Sequence, residues 1–588
     1  MQNVRKQGAC KELRLDLKKF VHFPENSCIM NTIMLTRNGA IAMKLNYKRV
    51  IFVGFAFFLI QAFWQTYDNT IPLILTNKFG LSHTASGVIM ALDNILALFM
   101  LPLFGAISDR HNSRMGRRTP FILVGTLVAV AAFVGLSFAD NLQLKHLSAV
   151  SRIDSVSSLE TLYDTQGDKT LKTPDGESFR LDQRFTREEF CEISSQLVYE
   201  NGQLYTANGE QYALAGAFSD AEQADAQKHT DGKAFTNPHY TDYVVPARQA
   251  YAWEQAARSP GPLILFIVLL LIALVAMATF RSPAVALMPD VTIKPLRSKA
   301  NAVINLMGTF GGILALGLGM VFATSAVKNS LMSYTVYFST VGGMMLLALG
   351  LFLWQVREPK FVEEMHRESR TLGLEESEEE ATGSRRLTGP ERRSLLFLLA
   401  SIVLWYMGYN AVTSKYSVYA SNILNKDYNF TLMLAQGAAI VSYLPVGMVS
   451  SKIGRKKAIL SGVVMLTAAF TLAIFLRESS PNWIMDLVFA LAGIGWATIN
   501  VNSFPMVVEM CQGGDVGRYT GIYYTASMAA QTVTPMISGF LMDRLGMRAL
   551  FPYAAVFAGL AFFTMLLVRH GDSKPEAKRG LEALQGED

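Results

Sequence analysis

Twelve stretches of about 20 residues, each apolar and nearly free of charge, recur along this chain of 588 residues. They lie near 48–71, 85–107, 119–139, 260–281, 300–325, 332–356, 394–416, 430–450, 457–476, 482–506, 517–541 and 549–568. A run of this length crosses a hydrocarbon core of about 30 Å as a helix. A soluble bundle has no use for so many uncharged windows. The chain is therefore expected to be an all-α integral membrane protein of twelve transmembrane helices. Only 17% of its residues are charged, against about a quarter in soluble domains.

The net charge is +6, and its placement carries more than its size. The turn between spans 2 and 3 holds Arg110, Arg114, Arg117 and Arg118, and the turn between spans 8 and 9 holds Lys452, Arg455, Lys456 and Lys457. The alternate short loops hold little more than Lys78, Lys328 and Arg477. Positive short loops stay in the cytoplasm, so both termini are expected there, in a multi-pass protein of the cell membrane. The basic balance reports topology and gives no reason to expect nucleic acid as a partner. Cys10, Cys28, Cys191 and Cys511 have no metal spacing and form no disulfide framework. Residues 1–45 read as a disordered tail, and "MKLNYKRVIFVG" from Met43 reads as a natural start.

The chain repeats itself. "FWQTYDN" at Phe63 matches "LWYMGYN" at Leu404, and "GAISDRHNSRMGRR" at Gly105 matches "GMVSSKIGRKK" at Gly447, at offsets of 341 and 342 residues. Further on, "LRSKANAVINLMGTFGGILALGLG" at Leu296 aligns with "VGRYTGIYYTASMAAQTVTPMISG" at Val516, at an offset of 220. An extra block of roughly 120 residues must follow span 3. The chain divides into spans 1–3 (46–140), a small α+β extracytoplasmic insert (141–258), spans 4–6 (259–356), a solvated, partly disordered cytoplasmic linker (357–393), spans 7–12 (394–569) and a tail (570–588). In the insert, "TREEF" at Thr186 has the form of a capping box. Two Asn-Gly pairs in "VYENGQLYTANGEQYAL" signal hairpins.

"GAISDRHNSRMGRR" resembles the loop 2–3 signature of the major facilitator superfamily. The run "SRMGRRTPF" is similar to the sucrose-transporter branch, allied to the glycoside–pentoside–hexuronide:cation symporters, as are "RSPAVALMPD" after span 4 and "INVNSFPMVVEM" after span 10. The resemblance implies two six-helix halves that alternate access to a central site. It also implies a cytoplasmic latch built from Asp109, Arg110, Arg114, Gly116, Arg117 and Arg118. In the second copy, Gly454 and Arg455 remain, but Ser450-Ser451-Lys452 replaces the acid. An arginine cluster at a helix end also sets orientation alone, whereas an acid among those arginines calls for a specific partner.

A charge inside a span costs a few kcal/mol in lipid, which singles out Asp68 in span 1 and Asp93 in span 2 as candidates for cation coupling. A structural buried acid bonded to Asn69 or Asn94 is the alternative. Sugar recognition needs amides for hydroxyls and flat apolar faces for the ring. Span 1 supplies Gln61, Trp64, Gln65, Tyr67, Asp68 and Asn69; span 7 supplies Tyr406, Tyr409 and Asn410; spans 10 and 11 supply Trp496, Asn500 and Gln531. The expected function is secondary transport of a sucrose- or maltose-like glycoside with a proton or sodium ion, by a monomer. A proton-coupled exporter and a membrane sensor on the same fold remain open. No phosphate-binding loop follows a strand, and no nucleophile–base pair or metal set stands out, so neither an enzyme nor a cofactor or metal is expected.

Overall fold

The computed structural model describes residues 33–35, 41–43 and 45–571, apart from short stretches at 207, 219–221, 224–225, 230–231, 294–295, 372–386, 509 and 511–515. Most of the expected N-terminal tail, the middle of the linker and the C-terminal tail lie outside the described residues. Just ahead of the first long helix, Ile33–Leu35 pairs antiparallel with Ile41–Met43.

Among the described residues, twelve long helices form the body. The first six are α1 (Tyr47–Asn77), α2 (His83–Arg110), α3 (Thr119–His146), α4 (Gly261–Asp290), α5 (Arg297–Val321) and α6 (Thr335–Gln355). The second six are α7 (Gly389–Tyr419), α8 (Tyr428–Ile453), α9 (Arg455–Ala473), α10 (Asn482–Val508), α11 (Val516–Leu545) and α12 (Leu550–Leu566). Ten of them are long and apolar enough to cross a membrane among the described residues. The other two, α8 and α11, pack among them at the expected positions.

Each half has its own apolar core. One gathers Val53, Phe63, Phe133, Phe280 and Phe338 from α1, α3, α4 and α6, and the other gathers Trp405, Val463, Phe489 and Ala558 from α7, α9, α10 and α12. Within a half the helices meet closely at small residues. A Cβ at Gly493 of α10 would lie 2.1 Å from the Ala435 carbonyl of α8, so any larger residue there would force those helices apart.

The halves meet through α2 with α11, α5 with α8 and α1 with α7. These junctions cluster toward one end of the bundle. α2 presses Gly87 against the Pro535 carbonyl, and α11 presses Gly539 against the His83 carbonyl. Thr324, just past α5, bonds Tyr428 at 2.7 Å and Asn429 at 3.2 Å. Near mid-helix, Gln436 of α8 donates to Gln65 of α1. The insert sits at this same end.

The insert is built as the sequence foretells in its local signals. Thr186 and Glu189 form the capping box over Arg187–Cys191. Gln196–Glu200 and Gln203–Thr206 form a hairpin about Asn201-Gly202, both at positive φ, and Ala234–Thr236 adds a third strand to it. Helices Val156–Gln166 and Val245–Arg258 close over a core that includes Leu159, Leu162, Phe190, Leu197 and Tyr240.

Three features depart from the expected boundaries. α3 continues to His146 instead of stopping near 139, which places Asp140 inside the helix. α4 continues to Asp290, which places Arg281 in its interior. The linker opens with a helix, Glu358–Thr371, that docks on the bundle: Arg49 of α1 reaches Glu368 at 2.9 Å.

Candidate functional site

Three intramembrane charges gather in the first half. Asp68 on α1 and Asp93 on α2 act electrostatically on one another, and both act on Arg281 of α4. All three side chains are half-buried. The Arg281 guanidinium lies over the Trp64 ring, 5.8 Å from its centroid, a cation–π placement. Asn94 donates to Asp93 at 2.7 Å. Asp68 also acts on Tyr409 of α7, so the cluster faces the second half.

Across from it stands an aromatic shelf. Tyr409 stacks on Trp496 with ring centroids 3.7 Å apart and planes within 4°, and Tyr406 meets the same indole edge-on at 5.1 Å. All three are half-buried. The arrangement offers two carboxylates and one guanidinium on one wall and flat apolar faces on the other, with Gln65 and Gln436 bridging between the halves.

The remaining sequence candidates occupy varied places. Gln61 is exposed one turn nearer the termini than Gln65. Tyr67 is wholly buried in the first core, stacked on Phe63, with its hydroxyl donating to Met90 at 3.5 Å. Asn69 is 3% exposed and donates to the Gln65 carbonyl at 2.7 Å, while its Oδ1 has no protein partner among the described residues. Asn410 donates back to the Tyr406 carbonyl at 2.9 Å. Asn500 and Gln531 are half-buried.

The turn between α2 and α3 is a polar network within the first half. Arg118 reaches Asp109 at 2.5 Å, Asp290 at 2.9 Å and Ser108 at 2.5 Å. Glu358 accepts from the backbone N–H groups of Arg117, Arg118 and Thr119, capping α3 where Pro120 follows. Gly116 has φ +111, and a Cβ there would strike the Glu358 carboxylate at 2.3 Å. Arg110, Arg114 and Arg117 are exposed, while Gly454 (φ +92) and Arg455 open α9.

Asp68 and Asp93 are not the only acids inside the spans, against the expectation from the sequence. Asp140, 0% exposed, holds the equally buried Lys78 amine at 2.6 Å, with Tyr334 and the Met332 carbonyl around it. Also unread in the sequence is the pairing at the insert end. Asp543 of α11 accepts from His83 N–H, Thr84 N–H and the Thr84 hydroxyl, at 2.8, 2.8 and 2.5 Å, and Lys415 of α7 donates to the His83 carbonyl at 2.9 Å. A signal existed. "GFLMDRLGMR" at Gly539–Arg548 repeats the Gly-x-x-x-Asp-Arg pattern of "GAISDR" at the opposite end of the bundle. Its Gly546 has φ +90, much as Gly116 does.

A two-halved, twelve-helix bundle with charges and aromatics facing a central seam is the architecture of a multi-pass membrane transporter. The family model of the major facilitator superfamily matches residues 43–153 and 425–585 of this chain. It is similar to the human "Proton-associated sugar transporter A", 32% identical over 103 residues (18% of this chain, 13% of that protein). It is also similar to "Uncharacterized symporter YnaJ" of Bacillus subtilis strain 168, 36% identical over 94 residues (15% of this chain, 20% of that protein). These matches thus span a fifth or less of each relative. Among solved structures, the inward-open xylose transporter XylE from E. coli has a TM-score of 0.52 at 13% identity, covering 91% of this chain and 98% of that one. A peptide transporter POT also has 0.52, at 10% identity, covering 93% and 97%. At 10–13% identity these likenesses show the fold alone.

Proposed function

We propose that this protein is a secondary transporter that carries a sucrose- or maltose-like glycoside together with a proton or sodium ion by alternating access. The observation that carries the reading is the group Asp68, Asp93 and Arg281 opposite the Tyr409–Trp496 stack. With both carboxylates ionised the group bears one net negative charge. Burying that charge is costly, and a bound proton or sodium ion neutralises it. The loaded, neutral group crosses from one access state to the other more readily than the empty, charged one. The aromatic shelf suits the apolar face of a sugar ring, and Gln61, Gln65 and Gln436 suit its hydroxyls. The named sugar transporter and symporter among the relatives support the same substrate class and coupling.

In this reading the termini lie in the cytoplasm and the insert outside, and the chain stands in its cytoplasm-facing state. The junctions between the halves lie at the insert end, and exposure along α1 falls from Gln61 to Asn69. One chain supplies both walls of the path, so it acts as a monomer. Uptake of a labelled disaccharide panel into vesicles, under imposed proton or sodium gradients, tests it. Accumulation of a disaccharide with one of the gradients is expected; no sugar uptake under either would remove the reading.

A further inference from the structure

The insert touches the two halves in different ways. Toward the first half its attachment is apolar and continuous. Leu147 at the end of α3 and Leu331 before α6 belong to the insert's own core. Helix Val245–Arg258 lies so close to the α1–α2 turn that a Cβ on Gly80 would fall 2.2 Å from the Gln249 carbonyl. Both chain connections also run to this half, into α3 and α4.

Toward the second half the described contacts are polar. Met547 N–H donates to the Pro174 carbonyl at 2.6 Å, and Arg548 pairs with Asp175 at 2.5 Å. Lys172 donates to the Asp543 carbonyl at 3.1 Å. Thr236 N–H donates to Glu478 at 2.8 Å, and Asn425 holds the other oxygen of that carboxylate at 2.9 Å. Beside this seam lies a cavity of about 230 Å³ lined by Ser195, Thr236, Lys328, Asn425 and Lys426, so water can reach the contact. Apolar contact buried in a core does not come apart cheaply, whereas exposed polar pairs exchange with water at little cost.

The gripped segment is also informative. Residues 543–548 form the α11–α12 corner, whose Asp543 carboxylate caps α2 across the interface. The corner therefore holds α2 with a side chain and the insert with its backbone and Arg548. Resting on the alternating-access reading, we infer that the insert is a clasp: it moves as one body with the first half and binds the outer corners of the second half only while the outer side is closed. Opening outward must break the contacts of Lys172, Asp175 and Thr236 together with the Asp543 cap. The clasp thereby favours the cytoplasm-facing state and slows the return to the outward-facing one.

The test uses the full chain in vesicles, in a background lacking the native cysteines. Ser86→Cys is the probe, wholly buried one turn inside α2 beside the Gly87–Pro535 contact. Its labelling by an impermeant maleimide from the insert side reports outward opening. Adding Lys172→Gln, Asp175→Asn and Glu478→Gln removes the charges of the grip without touching the helices, leaving of the described polar contacts only the Met547–Pro174 backbone bond unaltered. Labelling is expected to quicken by about fivefold or more. A thiol cross-linker between Lys172→Cys and Arg544→Cys is expected to suppress labelling, and a cleavable version to restore it after reduction. Unchanged labelling in the triple variant, or free labelling while cross-linked, would overturn the clasp. Neither readout needs a substrate, so a failed sugar assay with altered labelling would strike the proposed function and leave the clasp standing.

Discussion

The Asp543 carboxylate receives the His83 backbone N–H at 2.8 Å, joining α11 of one half to the first turn of α2 in the other. A helix N-terminus presents N–H groups and partial positive charge, and a carboxylate placed there stabilises it by about 0.5–2 kcal/mol. Here the capping group comes from 460 residues away, so the same contact that ends a helix also holds two halves together. Asp543→Asn keeps the shape and loses the charge. It is expected to lower the initial rate of uptake while folded protein is recovered at wild-type yield. An unchanged rate would make the cap a passive contact.

Asp109→Asn addresses the other end. Asp109 meets Arg118 at 2.5 Å and is largely exposed, so little stability rests on that pair. The expected outcome is slower turnover with an unchanged half-saturation concentration for substrate, read from uptake rates across a concentration series. Unchanged turnover would reduce the acid to part of a topology signal.

Lys78 and Asp140 form a wholly buried ion pair that ties α1 to α3. Removing one partner leaves the other charge buried, at a cost of about 3–5 kcal/mol. Lys78→Met is expected to lower the thermal unfolding midpoint of the purified protein sharply. Lys78→Met with Asp140→Leu is expected to recover most of the loss. A double variant no better than the single one would contradict this account.

The insert carries a pH dependence of its own. Burial pushes Asp242 up to about 7 from an ordinary 3.8; Asp175, Glu222 and Glu177 add to the rise, and Arg548 opposes it. The folded insert thus holds this proton more tightly than the unfolded chain. The stabilisation is full below the ordinary carboxyl range and is lost as pH rises through about 7. Amide exchange protection of Val156–Gln166 in the full chain, corrected for intrinsic rates, is expected to fall from pH 5 to about pH 7.5. Asp242→Asn is expected to flatten that fall; a persistent slope would assign it to another group.

Much of the fold was legible because hydrophobic length is a local property. Twelve apolar windows became α1–α12, and Thr186 with Glu189 formed the box their spacing suggested. What stayed hidden was non-local. Asp140 lies just past an apolar window, and only Lys78 arriving from α1 explains its burial. Arg281 is the last residue of an expected span, and its place in the helix interior shows only because α4 runs nine residues further, to Asp290. Asn69 and Asn410 sit in the right helices for a sugar site, but both turn to carbonyls one helical turn back, a choice that side-chain type alone does not reveal. Gln436 gained its place by packing against α1, with no motif to mark it.

The central claim is that a carboxylate among Asp68 and Asp93 links ion movement to sugar movement, and paired measurements on one set of vesicles test it most directly. Gradient-driven accumulation and sugar counterflow are measured for wild type, Asp68→Asn and Asp93→Asn. Neutralising the coupling acid removes the step that makes the loaded and empty states differ, yet leaves the sugar contacts in place. Asp93→Asn is expected to abolish accumulation and retain counterflow. Asp68→Asn, at the acid that acts on Arg281 and on Tyr409 of the second half, is expected to raise the sugar concentration needed for half-maximal counterflow. Normal accumulation by both variants would contradict the account.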